Sequence, residues 1–329
     1  LALSLGYRYM NDSYNYSYGE GHNTSSDYMN DLSNTSSALH FSHGLDSEWR
    51  NMAWYLTAAY SWSNRYFINA DVAMETSSRF GRKAPGALRL GGVAWGLFPS
   101  VNAAWMISNE EWMRQAGWIS QLKLYAAWSM AGNDNLPVYG TKTYYESAGL
   151  MDNAFGWALA NIGNDRLKWE TTTTLRAGLD ISFFNDRWAL GIDLYRSVTD
   201  DLLMRRTLAE EAGLAYYWSN GGQLRNLGLN VTTSVRALNL KDWKLDLGLS
   251  IGHYKNKITE LASPFTTDIL GGQVLTAAGN PAGVFYGYKT DGVIASSDEA
   301  RATNLGIVNA DGTVTRFGAG DMRFVDTDK

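Results

Sequence analysis

Residues Trp243–Tyr254 set Trp243, Leu245, Leu247, Leu249 and Ile251 on one side of an extended chain and Lys244, Asp246, Gly248, Ser250 and Gly252 on the other. Successive side chains of a β-strand point to opposite faces, so this segment has one apolar and one polar face. Strands of globular proteins average about 5–6 residues. A run of about ten with this alternation has the length and one-sidedness of a strand that crosses a lipid bilayer.

The same pattern recurs along the chain. Gln121–Met130 aligns Leu122, Leu124, Ala126, Trp128 and Met130. Thr171–Phe183 aligns Leu175, Ala177, Leu179, Ile181 and Phe183 against Thr172, Thr174, Arg176, Gly178, Asp180 and Ser182. Arg187–Val198 aligns Trp188, Leu190, Ile192 and Leu194, and Leu227–Leu238 aligns Leu227, Leu229, Val231, Val235 and Ala237. With Met52–Trp62, Arg65–Glu75 and Ser100–Ile107 these make eight predicted strands. Leu1–Met10 reads as a further strand followed by a Tyr/Asn/Ser-rich loop. Thr35–His43 has strand character but the wrong parity, so it is assigned to a hairpin on the long-loop side.

The connections alternate in length. Ser63-Asn64, Phe184-Asn185-Asp186 and Asn239–Asp242 are tight, whereas 131–170, 199–226 and the stretch after Lys255 are long. Asn109–Trp118 shares the parity of the short ones, with Glu110, Trp112, Met113 and Gln115 spaced for one helical turn. Outer-membrane barrels combine short periplasmic turns with long extracellular loops. Residues 255–329 lose the alternation and are expected to be mainly an extracellular loop region.

Composition narrows the classes further. The 329 residues include 19 Tyr, 13 Trp and 33 Gly but only 5 Pro, and 19% are charged. Trp62, Tyr66, Trp105, Trp118, Trp169, Trp188 and Trp243 fall near strand ends, where amphipathic rings favour a water–lipid interface. No apolar run is long enough for a transmembrane helix. Without cysteine there is no disulfide, thiolate catalysis or cysteine metal site. Net charge is -5 with dispersed Lys and Arg, which gives no footprint for nucleic acid. The chain starts at Leu1 without an export signal, so it is read as an internal fragment of an exported protein.

A set of ordered stretches resembles the SusC/RagA-type TonB-dependent transporters. These are Gly96–Val101 with Trp105–Glu110, Leu122–Trp128 closing on Gly132-Asn133, and Asn164–Thr171, which is similar to an Asn-Pro-x-Leu-Lys-Trp-Glu segment. Asp200–Leu203, Asn220–Gly228, Gly279–Pro281 leading to Phe285–Gly292, and Gly320–Asp326 continue the series in the same order. Asn164-Asp165 departs from the proline-containing pattern, and Met74–Ser78 departs from an Arg-Asp-Gly-Ser-Ser pattern; both lie at loop boundaries.

The resemblance implies an all-β fold: part of a transmembrane antiparallel β-barrel of about twenty-two strands, with the plug domain outside this chain. It implies a Gram-negative outer-membrane location and import of oligosaccharides, or peptides, together with a SusD-like surface lipoprotein. Energy would come from the TonB complex acting through the plug region. No cofactor and no catalytic residue are implied. An open part-barrel would leave unpaired strand edges in lipid, so the chain by itself is expected not to insert and function. A passive porin or adhesin barrel, and a soluble exported carbohydrate-binding β-protein or a glycosidase built on one, are the alternatives.

Candidate substrate contacts are the aromatics of the long loops: Tyr144, Tyr145, Phe155, Trp157, Tyr216, Tyr217 and Trp218. Aromatic faces stack on sugar rings or, equally, pack loops together. Arg176, Asp180, Asp193 and Arg236 fall on polar strand faces and are candidates to line a lumen or hold a plug. The carboxylate neighbours Glu110/Glu111, Asp200/Asp201 and Glu210/Glu211 read as solvated turn residues. His40 and His43 would point to opposite strand faces, which disfavours a shared metal. Asp326 and Asp328 could open a calcium loop or form an acidic turn; two carboxylates do not make a site.

Overall fold

The computed structural model of the chain describes residues 1–85, 88–151, 154–309 and 311–325. The chain divides into two units, Leu1–Ala262 and Ser263–Lys329.

The first unit is built on one antiparallel sheet. Its strands are β1 (Ala2–Gly21), β2 (His40–Trp62), β3 (Tyr66–Ser77), the short β4 (Leu88–Leu90), β5 (Val93–Met106) and β6 (Ile119–Asn133). The hairpin of β7 (Tyr144–Met151) and β8 (Ala154–Asn161) interrupts the series. Then come β9 (Glu170–Phe183) and β10 (Trp188–Asp200), the hairpin of β11 (Leu203–Thr207) and β12 (Tyr216–Asn220), and finally β13 (Gln223–Asn239) and β14 (Lys244–Glu260). Along the sheet the order is β1-β2-β3-β5-β6-β9-β10-β13-β14, with β4 paired to β5.

Register joins the alternating patterns into continuous rows. Trp62, Tyr66, Trp105, Leu124, Leu179, Ile192, Val231 and Ile251 are successive cross-strand partners over eight strands. The adjacent row on the other face runs Met106, Lys123, Asp180, Gly191, Thr232 and Ser250. A shift of one residue in any strand would exchange its faces, so the apolar medium on one side fixes the register. Leu175, Leu194, Leu227, Leu247, Leu249 and Ile251 are all exposed on the apolar side. A continuous exposed apolar face of this extent marks contact with lipid or a partner.

The tight turns lie along one rim. Ser63 and Asn64 both have positive φ, and the Arg65 amide donates to the Trp62 carbonyl, the mirror-image turn that suits strand twist. Phe184, Asn185 and Asp186 are all left-handed, and the Arg187 amide closes the turn on Phe183 and Phe184. The expected helical turn after β5 is a 3-10 segment, Glu111–Gln115. Two aromatic groups border this rim: Tyr66 stacked between Trp62 and Trp105, and Phe183 packed with Trp118 and Trp188. Trp169 differs from the sequence expectation. It is buried at the opposite rim between Phe80 and Phe98, at centroid distances of 4.7 and 5.3 Å.

Several boundaries also differ from the sequence reading. The Tyr/Asn/Ser-rich stretch after Met10 continues β1 to Gly21, paired throughout with β2 down to His40. Thr35–His43 is no separate strand: a short 3-10 turn covers Ser37–Leu39, and His40–His43 begin β2. Backbone pairing extends this hairpin where only Tyr14, Tyr16 and Tyr18 alternate, out of phase with the apolar residues before Met10. β5 starts at Val93 rather than Ser100, and β14 runs on to Glu260.

The second unit contains the three-stranded sheet of β15 (Phe265–Ile269), β16 (Gly272–Thr276) and β17 (Val284–Tyr286). β18 (Thr290–Val293) precedes helix α1 (Ser297–Thr303), and β19 (Gly306–Val308) pairs β20 (Val314–Arg316). β21 (Met322–Phe324) returns to pair β18. Ser296 caps α1 by accepting from the Glu299 amide, while Glu299 accepts from the Ala295 amide and from Arg323. Asp326 and Asp328 lie outside the described residues.

Candidate functional site

The polar face of the sheet carries a compact charged cluster at mid-strand. Alternation puts Lys123 and Tyr125 of β6, Arg176 and Asp180 of β9, Asp193 of β10 and Asn230 of β13 on the same side. Lys123 Nζ lies 3.2 Å from Asp180 Oδ2, and Arg176 Nε lies 3.2 Å from Asp193 Oδ1. The Tyr125 hydroxyl donates to Asp193 at 3.1 Å, and Asn230 reaches it at 3.5 Å. Every charge here has an opposite neighbour, so the wall is polar yet close to neutral. Shallow hollows of about 470 and 330 Å³ lie on either side, lined by Asn69, Asn102 and Lys123 and by Asp180, Ser182 and Thr232.

Of the four charged candidates, Arg176, Asp180 and Asp193 meet in this cluster. Arg236 does not: it pairs with Asp246 at 3.0 Å near the tight turn between β13 and β14. Lys123 and Tyr125 were not singled out from the sequence, although they alternate with Leu122 and Leu124 and so belonged to the polar face.

At the long-loop rim the connections pack on one another through Asn164–Glu170. Leu167 is completely buried. Asn164 donates to the Trp218 carbonyl, and Lys168 Nζ meets Asp201 at 2.6 Å. Glu170 accepts from the Leu203 amide and from Asn133. Lys83 lies 2.8 Å from Asp165 and, through that hydrogen bond, holds the Asp165 carboxyl below its usual range. The β11–β12 hairpin, the end of β6 and the connection between β3 and β5 are thereby tied to one short segment.

The aromatic candidates divide into two groups. Tyr145 and Trp157 fall on one face of the β7–β8 hairpin, and Trp157 is 79% exposed. Phe155 shares that hairpin through its backbone, paired with Gly149; its side chain lies outside what is described. Tyr216 and Trp218 share a face of β12 with Arg205 of β11, whose guanidinium sits 4.5 and 5.3 Å from the two rings. Tyr144 belongs with this group: burial first, then the nearby Glu146 and Tyr216, push its phenol up. Tyr217 alternates to the other face, opposite Arg206. Arg205 was missed because the β11–β12 register is invisible before folding.

Glu110, Asp200 and Asp201 depart from the solvated turns expected of the carboxylate neighbours, whereas Glu111 and Glu211 are exposed as expected. Glu110 is buried at the short-turn rim, accepting from Tyr66 at 2.8 Å and Trp105 at 3.0 Å and pairing with Arg65 at 3.3 Å. The Tyr66 hydrogen bond, then that of Trp105, lowers its pKa. Asp200 accepts from Gln223, and Asp201 is the partner of Lys168. Among the described residues no group of three or more His, Asp or Glu side chains is placed to hold a metal.

Comparison with known proteins agrees with this architecture. The family model for the TonB dependent receptor-like β-barrel matches residues 1–329. TonB-dependent receptor P39 of Formosa agariphila is 30% identical over 250 residues, covering 75% of this chain and 23% of that protein. TonB-dependent receptor SusC of Bacteroides thetaiotaomicron is 32% identical over 217 residues, covering 64% of this chain and 21% of its own length. Among solved structures, the RagAB peptide importer in its closed-closed state superposes with a TM-score of 0.78. It has 21% identity over 98% of this chain and 35% of its own, which is a likeness of fold. The chain thus spans between a fifth and a quarter of the length of these curated relatives.

Proposed function

The chain belongs to the TonB dependent receptor-like β-barrel family, and from that premise we propose that it is part of the barrel wall of an active importer of oligosaccharides or peptides. The family resides in the outer membrane of Gram-negative bacteria, and its members are transporters rather than enzymes. On this reading the apolar rows face lipid, the Lys123–Asp180 and Arg176–Asp193 cluster faces the lumen, and the long connections of the first unit lie outside the cell.

The observation that carries the reading is the joining of exposed apolar rows, a neutralised polar face and a packed long-loop rim in one sheet. Lipid covers the first, the passage and its plug use the second, and the ligand meets the third. Exposed Tyr145 and Trp157, with the Arg205–Tyr216–Trp218 stack, offer flat faces for a sugar ring or for a peptide side chain. A SusD-like lipoprotein would close the outer side, and the TonB complex would act through a plug supplied by the rest of the protein. The resemblance to SusC/RagA-type transporters implies the oligosaccharide assignment, and the fold shared with a peptide importer is the reason to keep the peptide one.

Deleting the full-length gene and growing the host on single glycans and on peptides tests this. Loss of growth on one such nutrient, restored by the intact gene, is the expected outcome. Unchanged growth and uptake on every glycan and peptide source would refute it. Trp157→Ala in the restored gene separates contact from packing, since a contact role lowers uptake while leaving the amount of folded protein unchanged.

A further inference from the structure

A cleft of about 730 Å³ opens at the long-loop rim between the ends of β2 and β3, the connection through residues 78–83, and the segments around Lys142 and Asp165. Four cationic side chains line it, Arg50, Arg82, Lys83 and Lys142, against one carboxylate, Asp165. The chain as a whole has 33 acidic and 28 basic residues, so this balance is a local reversal. Lys83 is taken by Asp165 and Arg50 by Glu48, each at 2.8 Å. Arg82 and Lys142 have no acidic partner among the described residues, so two positive charges face the cleft uncompensated.

These two cations stand on closely packed backbone. Gly81 lies against the Asp165 carbonyl, where any Cβ would collide with the main chain, and the Lys83 amide donates to that same carbonyl at 3.2 Å. A Cβ on Gly163 would come within 2.5 Å of the Thr143 amide nitrogen and 2.6 Å of the Lys142 carbonyl carbon. Both glycines thus allow main chain to touch main chain, and the three walls are stitched at the places that carry Arg82 and Lys142. A preorganised site loses less ordering entropy when a ligand arrives.

We propose that this cleft binds an anionic sugar unit, so that the imported ligand is an acidic oligosaccharide bearing a ring carboxylate or a sulfate ester. The proposal rests on the importer reading above and narrows its substrate class. Arg82 and Lys142 take the charge through charge-assisted hydrogen bonds. Of the neutral lining residues, Asn51, Thr76 and Ser77 are buried and already bonded to Glu75, the Ala94 carbonyl and Asp134, which leaves the exposed Ser78 hydroxyl and Tyr9 ring as the neutral surface beside the two cations that a sugar ring would meet.

The test uses the full-length protein, purified in detergent, with binding measured by calorimetry. The probes are tetragalacturonate, a sulfated galactan tetrasaccharide, maltotetraose and tetraglutamate. Wild type is compared with the R82Q/K142Q variant and with Lys241→Gln at the opposite rim, each checked for the heat-resistant folded band. We expect one acidic tetrasaccharide to bind, and R82Q/K142Q to weaken it about tenfold or more while K241Q does not. Which of the two binds distinguishes carboxylate from sulfate. The proposal falls if neither acidic sugar binds, if maltotetraose binds as well as they do, if R82Q/K142Q leaves affinity unchanged, or if tetraglutamate is the ligand lost. Growth of the deletion strain separates the two levels. Dependence on a neutral glycan or a peptide alone overturns the cleft assignment but leaves the importer, whereas dependence on no nutrient overturns both.

Discussion

The Asn220 side chain holds Lys168 by both of its backbone groups: its Oδ1 accepts from the Lys168 amide at 2.9 Å and its Nδ2 donates to the Lys168 carbonyl at 2.9 Å. Nδ2 also donates to the Asp201 carbonyl at 2.9 Å. One amide thus fastens the connection ahead of β9 to the one between β10 and β13. Asn220→Ala leaves those backbone groups unpaired at a half-buried site and should cost about 1–3 kcal/mol. Hydrogen exchange on the full-length protein should speed up over 164–169 and 201–220, with β9 and β10 unchanged; uniform protection would show that the clasp is dispensable.

Leu167 is the buried centre of the same rim. Leu167→Ala removes a side chain with no access to solvent and should destabilise by about 2–5 kcal/mol, depending on how far its neighbours collapse. Chemical unfolding in bilayers would read this loss. Protease sensitivity at the long loops should rise before the barrel strands yield.

Leu247 and Lys244 test the two faces of β14. Leu247 is 57% exposed on the apolar side. Leu247→Arg puts a charge against hydrocarbon three residues into β14 and should cost about 1–2 kcal/mol, less than at the bilayer midplane because the cost falls toward the interface. Lys244→Ala on the polar face should change stability little. Equal costs for the two substitutions in a bilayer refolding assay would contradict the assignment of faces.

Glu110 couples the short-turn rim to pH. Its carboxylate is favoured in the folded state by Tyr66 and Trp105, so its pKa is lower folded than unfolded. The stabilisation is therefore fully present above the unfolded value of about 4.3 and is lost as pH falls through the lower folded value. A thermal series from about pH 6 down to about pH 3 should show the decline, and Glu110→Gln should flatten that part of it. An identical acid profile for the variant would remove Glu110 from the account.

The alternation of β6, β9, β10, β13 and β14 was written locally, because lipid selects apolar side chains at every second position whatever the rest of the chain does. The tight turns were equally local, since Ser63-Asn64 and Phe184-Asn185-Asp186 are residues suited to a short reversal. Together with the ordered motif stretches these residues determined the sheet, its faces and the family. The extension of β1 to Gly21 left only a weak mark, Tyr14, Tyr16 and Tyr18 at every second position but out of phase with Leu3 to Tyr9, and pairing with β2 is what tells this Tyr/Asn/Ser-rich strand from a loop. Tertiary structure alone decided that Trp169 is a core residue, that Glu110 is a buried hub, that Arg236 stands apart from Arg176 and Asp193, and that Arg205 lies over Tyr216 and Trp218. Each depends on a contact between segments whose relative placement no periodicity encodes. The Arg82 and Lys142 cleft is of the same kind, because its two charges are 60 positions apart in sequence and meet only after Gly81 and Gly163 let their backbones close on Asp165 and Lys142.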